Sequence, residues 1–127
     1  MFINFTNHPS GAWSEEQLAA SRQYGVIFDL PFPTVEPEAT EEDIEAIAVA
    51  FFREICRIIQ EAEKTSTSGE PHAVHVMGEM TLTYAVVRLL KEAGITCVAS
   101  TTRREVSTLP DGSKVSTFRF VRLRRYE

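Results

Sequence analysis

The chain has 127 residues, 43% of them apolar and 24% charged, with a formal net charge of −5. That is the size of one domain, residues 1–127, able to bury roughly two thirds of its unfolded surface. The longest apolar run in a helical pattern, Ile47 to Phe52, cannot span a bilayer, so no membrane partner is expected.

The charge is unevenly divided. Residues 1–100 carry 6 Lys/Arg against 15 Asp/Glu, a balance of −9, and residues 101–127 carry 7 against 3, a balance of +4. An acidic body argues against duplex nucleic acid, which needs a broad basic face. The basic end suits a small phosphorylated ligand, or is a solvated charged hairpin. Cys56 and Cys97 lie far apart in apolar patterns and read as reduced core residues. With no basic, long apolar leader at Met1 to Thr6, a cytoplasmic location is expected.

Met1 to Thr6 reads as a first strand, followed by the loop Asn7-His8-Pro9-Ser10-Gly11. Ser14-Glu15-Glu16-Gln17 is a capping box opening a helix that ends near Tyr24, with Gly25 as its stop. Val26 to Leu30 is a second strand, broken by Pro31 and Pro33. Thr40 caps the longest helix, with Glu41, Glu42 and Asp43 at its positive end. Its apolar stripe is Ile44, Ile47, Phe51, Ile55, Ile58 and Ala62. A surface connection over 65–71 leads to a third strand, Ala73 to Met77.

Gly78-Glu79-Met80-Thr81 then joins that strand to a helix presenting Leu82, Ala85, Val86, Leu89, Leu90 and Ala93 inward and stopping at Gly94. Thr96 to Ser100 is a fourth strand, followed by the loop Ser100 to Arg104. From Glu105 two β-rich runs flank the turn Leu109-Pro110-Asp111-Gly112-Ser113. The order β-α-β-α-β-α-β plus hairpin predicts an α/β Rossmann-like three-layer sandwich. Its sheet is mostly parallel, with a C-terminal antiparallel β-hairpin.

Placing strands two and three on opposite sides of strand one creates a topological switch where ligands bind. Three loops would meet there: Thr6-Asn7-His8-Pro9-Ser10, Gly78-Glu79-Met80-Thr81 and Ser100-Thr101-Thr102-Arg103-Arg104. Backbone N–H groups near Thr81, with the Thr81 and Thr83 hydroxyls, suit phosphate oxygens. Thr81 serves equally well as an N-cap. Arg103 and Arg104 can fork onto a phosphodiester and neutralise charge developing during its cleavage, or pair with surface acids. Asn7 can read a base or ribose edge, and Ser10 and Thr6 can donate to phosphate or hold water. His8 can pass a proton to or from a ribose hydroxyl, or tie down its loop. His75 reads as a satisfied core residue. For Glu79 the choices are a ribose contact, a base, or a carboxylate held by the helix dipole. No metal-ligand spacing, nucleophile elbow, Walker motif or dinucleotide fingerprint occurs, so neither metal nor cofactor is expected.

The opening Met1-Phe2-Ile3-Asn4-Phe5-Thr6-Asn7-His8-Pro9, with Trp13-Ser14-Glu15-Glu16-Gln17-Leu18, resembles small stand-alone CRISPR-associated Rossmann-fold (CARF-like) proteins of type III systems. The ending Phe118-Arg119-Phe120-Val121-Arg122-Leu123-Arg124 resembles their C-termini. The resemblance implies binding of cyclic oligoadenylate, an antiviral second messenger, in a pocket shared by a homodimer. It further implies a metal-independent ring nuclease that uses a ribose 2′-hydroxyl to attack the adjoining phosphate. Relatives of this kind either cleave the messenger or bind it as a sink. On that basis His8, Arg103 and Arg104 would assist cleavage. Thr6, Asn7, Ser10, Gly78, Glu79, Thr81, Thr83, Ser100, Thr101 and Thr102 would hold the ring. A reading of another class makes the C-terminal hairpin edge a protein-docking strand.

Overall fold

A computed structural model describes residues 1–65, 69 and 71–127, so the connection expected over 65–71 falls mostly outside the described residues. The elements are β1 (Phe2–Thr6), α1 (Glu15–Arg22), β2 (Ile27–Asp29), α2 (Glu41–Thr65), β3 (Ala73–Met77), α3 (Met80–Glu92), β4 (Thr96–Thr108) and β5 (Lys114–Arg125). They build one sheet in the order β2-β1-β3-β4-β5. All neighbours are parallel except β4 and β5. This is the expected Rossmann-like α/β sheet, and the switch lies at β1, with β2 on one side and β3 on the other.

Side chains alternate across a strand, so odd and even positions of β1 serve different faces. Ile3 and Phe5, with Val74 and Val76 of β3 and Cys97 of β4, join the buried stripes of α2 and α3 in one large apolar cluster. Phe5 lies 4.8 Å from Phe32 and 4.9 Å from Phe51, ring centre to ring centre. The opposite face is covered by the short helix α1. It begins apolar, with Phe2, Ala73 and Val98 packed under Trp13 and Tyr24. Toward the carboxyl ends it turns polar: Asn4, Thr6 and His75 are all buried there.

Local signals set the helix ends. Ser14 Oγ accepts the Gln17 N–H, as the capping box requires. Thr40 Oγ1 accepts from Asp43 N–H while Asp43 returns a carboxylate to Thr40 N–H. At the end of α3 the Ile95 N–H reaches Leu90 O and the Gly94 N–H reaches Lys91 O. That double closure needs the left-handed φ of +77° that Gly94 supplies.

The C-terminal region departs from expectation. The loop predicted over Ser100 to Arg104 does not exist; β4 is one strand from Thr96 to Thr108. Polar residues at 100–104 read as loop, yet Thr is a good strand former and pairing with β5 decides the outcome. β3 pairs with β4 only as far as His75 with Val98. The two last strands then run on as an arm, roughly 25 Å beyond the end of β3 at about 3.3 Å per residue. A register shift between Thr101 and Thr102 marks where the arm leaves the sheet.

Candidate functional site

Where the α1 face turns polar, a hollow of about 1000 Å³ opens at the switch. Its walls come from the loop after β1, the end of β3 with Gly78, and the arm. The three predicted segments therefore meet, though through only part of the expected set of residues. Thr6, Asn7, His8, Gly78, Ser100 and Thr102 line it. Ser10, Glu79, Thr81, Thr83, Thr101, Arg103 and Arg104 do not.

The first wall is held by a chain of buried amide and hydroxyl bonds. Asn4 Nδ2 donates to His8 O at 2.8 Å and to Asp29 Oδ1 at 2.9 Å. Asn4 Oδ1 accepts the Thr6 hydroxyl at 2.8 Å, and Thr6 Oγ1 accepts the His8 N–H at 3.1 Å. Trp13 Nε1–H adds a second donor to His8 O at 3.0 Å. The backbone of His8 is thus fixed from three directions, which presents the residue to the hollow at little cost in ordering. Thr6 is a support of this loop. Ser10 is turned away: its N–H and hydroxyl both bond the Asp29 carboxylate, with Oγ to Oδ2 at 2.9 Å.

His75 is buried, as its strand predicted, but it is not fully satisfied and also forms part of the wall. It is 2% exposed, its Nε2 lies 3.3 Å from Ser100 Oγ, and its Nδ1 is buried with no protein partner. Phe2 and Trp13 pack against its ring, with centres 5.8 and 5.7 Å away. Burial, with a smaller push from His8, lowers its pKa to about 4, so the ring is neutral near pH 7. Sequence alone hides this, because Val74 and Val76 flank it and make the strand look uniformly apolar. The signal that finds it is alternation: His75 shares a face with Asn4 and Thr6 once the strands are paired.

The junction after β3 is built differently from a phosphate cradle. The Glu79 carboxylate accepts Thr81 N–H at 3.1 Å, Leu82 N–H at 2.8 Å and the Thr81 hydroxyl at 2.7 Å. Glu79 is the N-cap of α3, and Thr81 is its hydroxyl donor. Those bonds, led by the Leu82 N–H, lower the carboxyl's pKa. The anion at this helix end is the chain's own. Gly78 is needed for a packing reason: a Cβ there would stand 2.5 Å from the Phe32 ring. Thr83, whose hydroxyl is buried without a protein partner, lines a separate hollow with Met80 and Tyr84.

On β4, Thr101 Oγ1 donates to Arg122 O, and Arg104 donates to Ser116 Oγ at 3.0 Å within the exposed arm. Arg103 is exposed on the same strand. The arginines expected at the site are therefore carried off along the arm. In their place the arm brings Glu105, Thr117, Phe118, Arg119 and Phe120 to the wall, facing a side built from Trp13 and Gln17. Arg119 reaches 3.8 Å from Glu16 of α1. Sequence reading missed these residues because their approach depends on how the arm crosses α1.

Among the described residues no group of three or more His, Cys, Asp or Glu could hold a metal ion, and no helix is long and apolar enough to cross a membrane. Neither the curated proteins nor the solved structures provide a match to this chain. A family model does match, over residues 1–124, nearly the whole sheet and arm. On that match the chain belongs to the Uncharacterized protein MJ1673 family.

Proposed function

We propose that the protein binds cyclic oligoadenylate, cyclic tetra-adenylate foremost, in the hollow at the switch, and cleaves it without a metal. The working unit in this reading is a cytoplasmic homodimer, in which a two-fold ligand meets each wall twice. The observation that carries it is the convergence at the strands' carboxyl ends of a rigid Asn4–Thr6–His8 wall with Ser100 and Thr102 hydroxyls in one hollow of about 1000 Å³. That volume is at the upper end of ordinary small-molecule sites, roughly 300–1,000 Å³.

In the cleavage step a ribose 2′-oxygen attacks the adjoining phosphorus as its proton leaves to His8. The bond from phosphorus to the 5′-oxygen breaks, that oxygen takes up a proton, and a 2′,3′-cyclic phosphate remains. In-line positioning by itself supplies much of the rate in such a reaction. Arg103 and Arg104, placed along the arm, have no part in this step.

A second reading, a messenger sink without turnover, is favoured by one observation: among the described residues Arg119 is the single Lys or Arg lining the hollow, so little charge faces a developing phosphorane. Single-turnover incubation of labelled cyclic tetra-adenylate with excess protein separates the two. Ring opening that His8→Ala slows at least tenfold supports cleavage, and tight binding of an intact ring supports the sink. Absence of both binding and cleavage ends the proposal.

A further inference from the structure

We propose that nucleobases stack on Phe118 of the arm and Trp13 before α1, so that the hollow selects phosphodiester-linked ribonucleotides over nucleoside polyphosphates. This rests on the reading above and narrows its ligand class.

Phe118 lines the hollow yet is 69% exposed, an aromatic ring left in water on its wall. Trp13 is already locked: its Nε1–H bonds His8 O, and its ring meets Phe2 and His75 edge-on at 82° and 74°. A fixed indole and an exposed phenyl offer flat surfaces that any base can use without ordering the protein first. Charge sets the other half of the argument. Among the described residues Arg119 and Glu105 are the lining's only Asp, Glu, Lys or Arg, one of each sign, and Arg119 already lies 3.8 Å from Glu16 of α1. Such walls cannot neutralise a triphosphate. A phosphodiester carries one charge per base, so a ligand of linked nucleotides gains stacking faster than it gains uncompensated charge.

The test uses the whole chain, whose only tryptophan is Trp13. Cyclic tetra-adenylate, the linear dinucleotide ApA and ATP are each titrated by calorimetry and by tryptophan fluorescence. Both phosphodiesters are expected to bind with a change in Trp13 emission, and ATP to bind at least tenfold more weakly. Phe118→Ala should weaken phosphodiester binding about tenfold, equivalent to about 1.4 kcal/mol, with Phe118→Tyr restoring it. Circular dichroism confirms that both variants fold.

Cyclic tetra-adenylate binding with unchanged Trp13 emission and no effect of Phe118→Ala overturns this inference and leaves the proposed function standing. ATP binding as tightly as the phosphodiesters also overturns it. Binding of ApA with altered emission, but none of the cyclic ring, defeats the cyclic-messenger reading and retains stacking. No binding of any probe overturns both.

Discussion

The two faces of the sheet are made by the same strands and do opposite things. On the α2/α3 face Ile3, Phe5, Val74 and Val76 are sealed in a continuous apolar cluster. One residue away on each strand, Asn4, Thr6 and His75 face α1, which is too short to cover the carboxyl end of the sheet. The first face is a source of stability, since each large apolar side chain there removes surface from water. On the second, the buried Asn4 and Thr6 side chains bond one another and hold a loop in place. The apolar core and the candidate site are thereby separated by the period of a strand.

Substitutions that treat the faces differently sharpen this contrast. The largest effect is expected from Phe5→Ala, which empties a ring site between Phe32 and Phe51 and should cost about 3–5 kcal/mol in urea unfolding. Ligand affinity of the protein that remains folded should stay unchanged. If affinity falls with stability, the two faces are coupled and the separation fails.

Acid probes the other face. The folded pKa of His75, about 4, lies below its ordinary 6.5, so the unfolded chain takes up the proton first as pH falls. Its contribution is complete above pH 6.5 and is lost between 6.5 and 4, about 3 kcal/mol at 1.36 kcal/mol per unit. Urea midpoints across that range should show the decline, and His75→Asn should flatten it. An unaltered slope in the variant would mean that His75 is not buried as a neutral ring.

At the seam between the faces, Gly78→Ala should destabilise by about 1–3 kcal/mol, because the new methyl group meets the Phe32 ring. Phe32→Leu in the same chain should recover part of that loss in a double-mutant cycle. Additive losses would show that contact with Phe32 is not the reason for the glycine. Smallest of all is Glu79→Ala, which removes the α3 cap and should lower Tm modestly while leaving cyclic tetra-adenylate affinity intact. A large loss of affinity would return this helix end to the binding site.

Patterns that act over a few residues were legible without coordinates. Capping at Ser14 and Thr40, the stop at Gly94, the stripe of α2 and the α/β order each follow from contacts within one element, so the chain itself specifies them. The three segments of the site were legible to the same extent, since right-handed crossovers leave few ways to arrange four strands. The individual residues were not. Whether Thr81 meets a ligand or Glu79, whether Arg103 lies in a loop or along an arm, and whether His75 is core or wall all depend on a neighbour distant in sequence. Pairing with β5 extended β4, and the shortness of α1 left one face open. Those are competitions between partners brought together only by folding, and tertiary structure alone decided them.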